Sequence, residues 1–155
     1  MNGKERFILR DYTLEDFGQV DELWHQTGMN TPGRGDTAVV ISATLDHGGR
    51  LRLLVEEENG RIVGSSWLTH DARRLYLHHF AILPSFQGHG LARKLLADSL
   101  LIARAIGLQV KLEVHRENVR AVNLYRRAGF APLGAYDVYI IRDPTKIDVD
   151  GSHFI

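Results

Sequence analysis

The segment Gln87-Gly88-His89-Gly90-Leu91-Ala92-Arg93 stands where an apolar strand candidate, stopped by Pro84, gives way to a helix candidate. Glycines at such a junction let the backbone approach a ligand closely, and the unbonded N–H groups of the first helical turn converge on one point. Together with the helix dipole this is an anion site suited to a pyrophosphate. The same residues also serve as a plain strand-to-helix turn that needs glycine and no ligand, and the loop alone does not choose between the two. Two other phosphate loops are excluded. A P-loop places Lys followed by Ser or Thr after its last glycine, and neither stands here. The dinucleotide fingerprint fails at Arg93, where Gly or Ala is required.

Other chemistry is narrowed by what the chain contains. There is no cysteine, which removes disulfides, thiolate metal sites and a cysteine nucleophile. His78 and His79 are adjacent on a strand candidate, where alternation sends them to opposite faces, so they make a poor chelating pair. No His/carboxylate cluster recurs at helical spacing, and no metal is expected. Lys plus Arg equals Asp plus Glu, 19 against 19, so no global field draws nucleic acid or an anionic membrane. Arg116, Arg120, Arg126 and Arg127 read as a solvated helix face. Any anionic ligand must be held by local geometry. The first residues are polar, without the apolar run of a signal peptide, and no apolar run is long enough to span a bilayer. A cytoplasmic location is expected. At 155 residues, 44% hydrophobic and 25% charged, the chain reads as one domain, 1–155.

The elements that must position the loop follow from periodicity. Phe7 to Leu9 is a short strand. Thr13 caps a helix carrying Phe17, Val20, Leu23 and Trp24, and Gly28 to Gly35 is a loop. Asp36 is the expected cap of a second helix to about Asp46. Arg50–Glu57 and Arg61–Thr69 form a hairpin around a two-residue Asn59-Gly60 turn, followed by a strand from Leu75 to Leu83. An amphipathic helix runs from about His89 to Gly107, a strand alternates from Leu108 to His115, a short helix starts at Asn118 and closes at Gly129, and Tyr136 to Ile141 is a last strand. Strand, long helix, strand over 75–115 is a βαβ unit with parallel strands. The expected fold is α/β: a mixed, mostly antiparallel sheet of six to seven strands with that unit at its centre and helices on both faces.

The run Phe80 to Arg93 resembles the acetyl-CoA motif of the GNAT N-acetyltransferases, whose core is Gln/Arg-x-x-Gly-x-Gly/Ala. Gln87, Gly90 and Ala92 fill its fixed places. Leu112 to Asn118 followed by Leu124 to Phe130 resembles the family's second block, closest in motif to the ribosomal-protein alanine N-acetyltransferases. The resemblance covers about 75–142 strongly and the first half only through element order. It implies an N-acetyltransferase domain that takes acetyl-CoA as co-substrate, with the acetyl and pantetheine arm along the backbone of Phe80, Ala81 and Ile82. The pyrophosphate would lie on backbone N–H groups of Gly88, His89, Gly90, Leu91, Ala92 and Arg93. Asn118 would touch the pantetheine and Tyr125 the sulfur. Residue by residue, Asn118 also reads as a helix N-cap and Tyr125 as a core tyrosine.

An amine attacks a thioester only when neutral, so such a site needs a proton acceptor and a donor for the leaving thiolate. By the resemblance Tyr125 is the donor. Glu113, twelve positions before Tyr125, is the first candidate base, and His78, four residues before Ile82, the second; a water relay serves either. Glu113 also reads as a solvated strand residue and His78 as a packed one. Serotonin N-acetyltransferase is similar in having a histidine at the place of His78, but this chain has Tyr76 where that enzyme has a second. Trp24, Trp67, Tyr76, Tyr139 and the 28–35 loop are candidates for the acceptor side. The acceptor is expected to be a primary amine of a small molecule or of a peptide or protein N-terminus. The alternative is a non-catalytic acyl-CoA-binding or sensing module on the same fold. The protein is expected to be a monomer or homodimer with no nucleic-acid or membrane partner.

Overall fold

The computed structural model describes residues 6–30, 34–148 and 150. Strand β1 (Phe7–Asp11) turns at Thr13, whose backbone N–H donates to the Asp16 carboxylate at 2.8 Å, into helix α1 (Phe17–Gln26). Arg10 grips the same carboxylate with both nitrogens at 2.7 and 2.8 Å, tying the strand end to the helix start. Helix α2 (Ala38–Asp46) is capped by Thr37, whose Oγ1 accepts the Val40 N–H at 3.3 Å. The cap is therefore one residue later than the sequence suggests, and Asp36 turns to another partner.

Strands β2 (Arg50–Glu56), β3 (Ile62–His70) and β4 (Arg74–Ile82) continue an antiparallel meander from β1. Helix α3 (Leu91–Ile106) then crosses over to β5 (Gln109–Leu112), which pairs parallel with β4, and helix α4 (Val119–Arg127) follows. The sheet order is β1-β2-β3-β4-β5. Side-chain alternation along β3 assigns the faces. Trp67 stacks on Trp24 of α1 at 5.6 Å and donates its Nε1–H to Thr44 of α2, while Ser66 meets Ser99 of α3 at 2.7 Å on the other side. Val20, Leu23, Trp24 and Ile41 pack with Leu53, Leu54 and Val63 in the main core, each fully buried, and burial of one such side chain stabilises by roughly 1.5–3 kcal/mol.

Two expectations about the sheet need correction. The β2–β3 turn spans 57–60 rather than two residues, because Glu56 N–H bonds Arg61 O and Gly60 N–H bonds Glu56 O, both at 2.9 Å. The sheet has five strands among the described residues, not six to seven. Within Leu108–His115 only Gln109–Leu112 finds a partner, and Tyr136–Ile141 is irregular and exposed, Tyr139 at 89%. Both segments carry strand periodicity, but periodicity does not supply the neighbouring edge that a strand needs. Among the described residues no helix is long and apolar enough to cross a membrane.

Candidate functional site

A β-bulge in β4 creates the site. Ser65 pairs with Ala81 and Trp67 with His78, so Ser66 alone opposes His79 and Phe80. The extra residue, His79, takes φ +44, a conformation rare for a non-glycine residue. It is held there from across the sheet: Trp24 Nε1–H donates to Ser65 Oγ at 2.9 Å, and Ser65 Oγ–H donates to the His79 carbonyl at 2.7 Å. A bulge bends its strand, and pairing of β4 with β5 stops at Leu77 and Leu112. Beyond that pair the two strands part, opening a cleft of about 1130 Å³ that runs past the glycine loop to α4.

The loop is braced by its own first residue. Gln87 Nε2 donates to the Ile82 carbonyl at 2.9 Å, fixing the loop to the end of β4. Gly88 and Gly90 take φ +84 and +77, and Gly90 stands immediately before Leu91 as the left-handed cap of α3. A Cβ on Gly88 would lie 3.4 Å from Arg120 Nη2, so the first helical turn and the arginines Arg93 and Arg120 face the same end of the cleft. That is a concentrated positive field in a chain of zero net charge.

Tyr125 projects from α4 to the point where β4 and β5 part. Its ring meets Phe80 and Phe130 edge-on at 5.9 and 5.7 Å, and burial pushes its hydroxyl pKa up to about 12. The phenol keeps its proton at any working pH. Asn118 is the N-cap of α4, its Oδ1 accepting the Ala121 N–H at 3.3 Å, and it also lines the cleft. Cap and cleft residue are one and the same.

His78 and Glu113 flank the parting strands, one residue beyond the last β4–β5 pair. His78 Nε2 lies 2.8 Å from Thr69 Oγ1, and its ring stacks on Tyr76 at 5.9 Å. Desolvation within the cleft holds its pKa below the ordinary histidine value against the opposing pull of Asp36 and Glu113, although the residue remains exposed. Of the candidate residues, Tyr76, His78, Phe80, Ile82, Gln87, Gly88, Gly90, Ala92, Arg93, Glu113, Asn118 and Tyr125 line the cleft. Ala81 and Leu91 turn their side chains into the core, and His89 is exposed. Trp24 and Trp67, 0% and 3% exposed, stand behind the site and brace the bulge rather than line it. Tyr139 is in solvent, and residues 31–33 of the 28–35 loop lie outside the described residues.

One pair escapes sequence reasoning. His79 sits against Trp24 and Trp67 at 4.3 and 5.3 Å, and its Nε2 lies 3.0 Å from Asp36 Oδ2, an ion pair whenever the ring is protonated. The bulge overrides strict alternation, so His78 and His79 both reach the cleft. No sequence signal marks the pair, because Asp36 resembles a helix cap and His79 an ordinary strand residue. Burial again lowers the His79 pKa, with Arg34 and His78 acting the same way and Asp36 opposing. Both histidines thus bind a proton more readily in the unfolded chain, whose pKa is about 6.5. Their contribution to stability is present above that value and lost as pH falls below it. Calorimetry is expected to show Tm falling as pH is lowered from about 7.5 to about 5.5, with a smaller fall in His79→Asn, which removes one of the two groups and tolerates the positive φ.

Among the described residues no group of three or more His, Asp or Glu side chains could hold a metal. A family model described as the acetyltransferase (GNAT) family matches residues 14–130. An acetyltransferase of Pectobacterium atrosepticum is 31% identical over 121 residues, covering 77% of this chain and 84% of that protein. Among solved structures, an acetyltransferase of Trypanosoma brucei superposes with a TM-score of 0.70 at 23% identity, over 88% of this chain and 100% of that one. A predicted acetyltransferase of Clostridium acetobutylicum, solved with acetyl-CoA, superposes with a TM-score of 0.71 at 13% identity, over 87% of this chain and 96% of that one. Likeness at these identities is likeness of fold.

Proposed function

Because the chain belongs to the acetyltransferase (GNAT) family and is an acyltransferase, we propose that it moves an acetyl group from acetyl-CoA to a primary amine of a small molecule or of a peptide or protein N-terminus. The observation that carries this reading is the convergence of the α3 N-terminus, the parted edges of β4 and β5, and Glu113, His78 and Tyr125 on one cleft. The pyrophosphate rests on the backbone N–H groups of the 88–93 loop, with Arg93 and Arg120 beside it. The pantetheine passes Asn118, and the acetyl group lies along Phe80, Ala81 and Ile82 where the bulge leaves β4 unpaired from β5.

The reaction is a direct displacement. Glu113, itself or through one water, takes the proton from the ammonium, and His78, kept neutral by its surroundings, is the second acceptor. The amine nitrogen forms a bond to the acyl carbon as the C–S bond breaks, Tyr125 gives its proton to the leaving thiolate, and the second proton, shed by the new amide nitrogen, returns to the Tyr125 oxygen directly or through water. Tyr76 stands on the acceptor side of the bases, with the Trp24–Trp67 stack behind it. A panel of primary amines and N-terminal peptides tests the proposal by release of free thiol from acetyl-CoA; background rates across the whole panel would sink it.

Arg120 adds a charge that only the tertiary structure brings to the loop. A hydrogen bond to a charged group contributes about 1.5–3 kcal/mol, so Arg120→Ala is expected to raise the acetyl-CoA dissociation constant about tenfold or more. Titration calorimetry reads this directly, and kcat at saturating acetyl-CoA should change little.

A further inference from the structure

None of the proton transfers to Glu113, His78 or from Tyr125 uses the His79–Asp36 pair. Backbone at φ +44 is sparsely populated by residues with a Cβ, and such conformations persist where the surrounding structure over-determines them, most often at functional sites. Here the restraint is explicit: Trp24 holds Ser65, and Ser65 holds the His79 carbonyl. Without the bulge, the alternation of β4 would carry the His79 ring to the face opposite His78.

The two ring nitrogens differ. Nε2 is shut off from solvent and lies 3.0 Å from Asp36 Oδ2, the two side chains being 9% and 16% exposed. A carboxylate oxygen only accepts, so the hydrogen of the neutral ring belongs on Nε2 and Nδ1 is a bare acceptor. Nδ1 has no hydrogen-bond partner among the described residues, and the ring lines the same cleft as His78, Glu113 and Tyr125. The titratable groups that face it are Asp36, Arg34 and His78. Desolvation, joined by Arg34 and His78, outweighs Asp36 and holds the pKa below the ordinary histidine value, so the ring is neutral near pH 7.

Taking acetyl transfer to an amine as proposed above, we infer that Asp36 fixes the His79 ring so that Nδ1 accepts one N–H of the acceptor nitrogen, which makes His79 a specificity-determining residue for primary amines. The hydrogens of an alkylammonium account for the choice. The first goes to Glu113 before attack, and the second is shed from the new amide nitrogen to the Tyr125 oxygen. The third stays on nitrogen throughout, and it is the one that Nδ1 can hold from docking to product. Held there, it leaves the nitrogen lone pair free to face the acyl carbon. A secondary amine has a carbon in that place and leaves Nδ1 unpaired. A site built to bond a substrate N–H rejects an analogue lacking it far more strongly than an apolar pocket rejects an added methyl group. Asp36, which touches the amine only through the ring, is a positioning residue.

Thiol release from acetyl-CoA is compared for one primary amine that the unaltered protein acetylates and for the N-methyl derivative of that amine. The unaltered protein should favour the primary amine in kcat/KM by about 10²-fold or more. His79→Gln keeps a donor for Asp36 and removes the acceptor at Nδ1. Its preference should shrink about tenfold, through loss with the primary amine and little change with the derivative. Asp36→Ala lets the ring carry its hydrogen on either nitrogen and should shrink the preference by a smaller factor. Both rates are read on one preparation, so any misfolded fraction cancels in the ratio. An unchanged preference in His79→Gln overturns the role of His79, and one in Asp36→Ala overturns that of Asp36. Equal kcat/KM for the two amines in the unaltered protein overturns both. Background release from every amine by the unaltered protein is a different result: it sinks the acetyl-transfer reading itself, and the amine selectivity with it.

Discussion

Tyr125→Phe is expected to lower kcat by about 10²-fold or more, within the span of general acid catalysis, while the acetyl-CoA dissociation constant stays within about twofold of the unaltered value. The way the ring is held separates the two quantities. Phe80 and Phe130 clasp its sides, and burial carries the hydroxyl pKa to about 12. A phenol so high on the scale never ionises on its own at neutral pH, yet it can pass a proton to a thiolate formed beside it. Phenylalanine keeps the packing and removes only the proton, so binding and fold should survive. Equal losses in kcat and in acetyl-CoA affinity would instead make Tyr125 a packing residue.

The second large effect concerns the base. Glu113→Gln preserves shape and removes the acceptor of the proton; kcat should fall by about 10²-fold with acetyl-CoA affinity intact. His78→Ala should cost less, on the order of tenfold, because in the proposed reaction it is the second acceptor. The two groups stand on either side of the parting strands and influence each other's charge, so the double variant should lose less than the product of the two single losses. A His78 variant that loses more than the Glu113 variant reverses their roles, and initial rates across pH on both variants decide it.

The parts of this site that are local in sequence were legible. The glycine loop, the helix after it and the Asn118 cap are each set by a few neighbouring residues, and Gln87 reaches only to Ile82. The bulge was not legible, because it depends on Trp24 and Ser65, 41 residues apart, meeting behind His79. Alternation assigns His78 and His79 to opposite faces, and it fails at His79, where φ turns positive within β4. Arg120 was hidden for a similar reason. On α4 it looks like one more solvated arginine, and only the packing of α4 brings it to Gly88. Trp24 and Trp67, expected on the acceptor side, stand buried behind the cleft, their indole N–H groups donated to Ser65 and Thr44 within the core. The last strand shows the limit most clearly: six residues with strand character stand in solvent, since composition encodes the wish to pair and not the partner.

A structure of the protein with acetyl-CoA bound decides whether the cleft holds the co-substrate in the reacting position. The pyrophosphate should lie on the backbone N–H groups of the 88–93 loop, the acetyl group between the parted ends of β4 and β5, and the sulfur within hydrogen-bond reach of Tyr125 Oη. A cofactor seated elsewhere, or a thioester turned away from Tyr125 and Glu113, would contradict it.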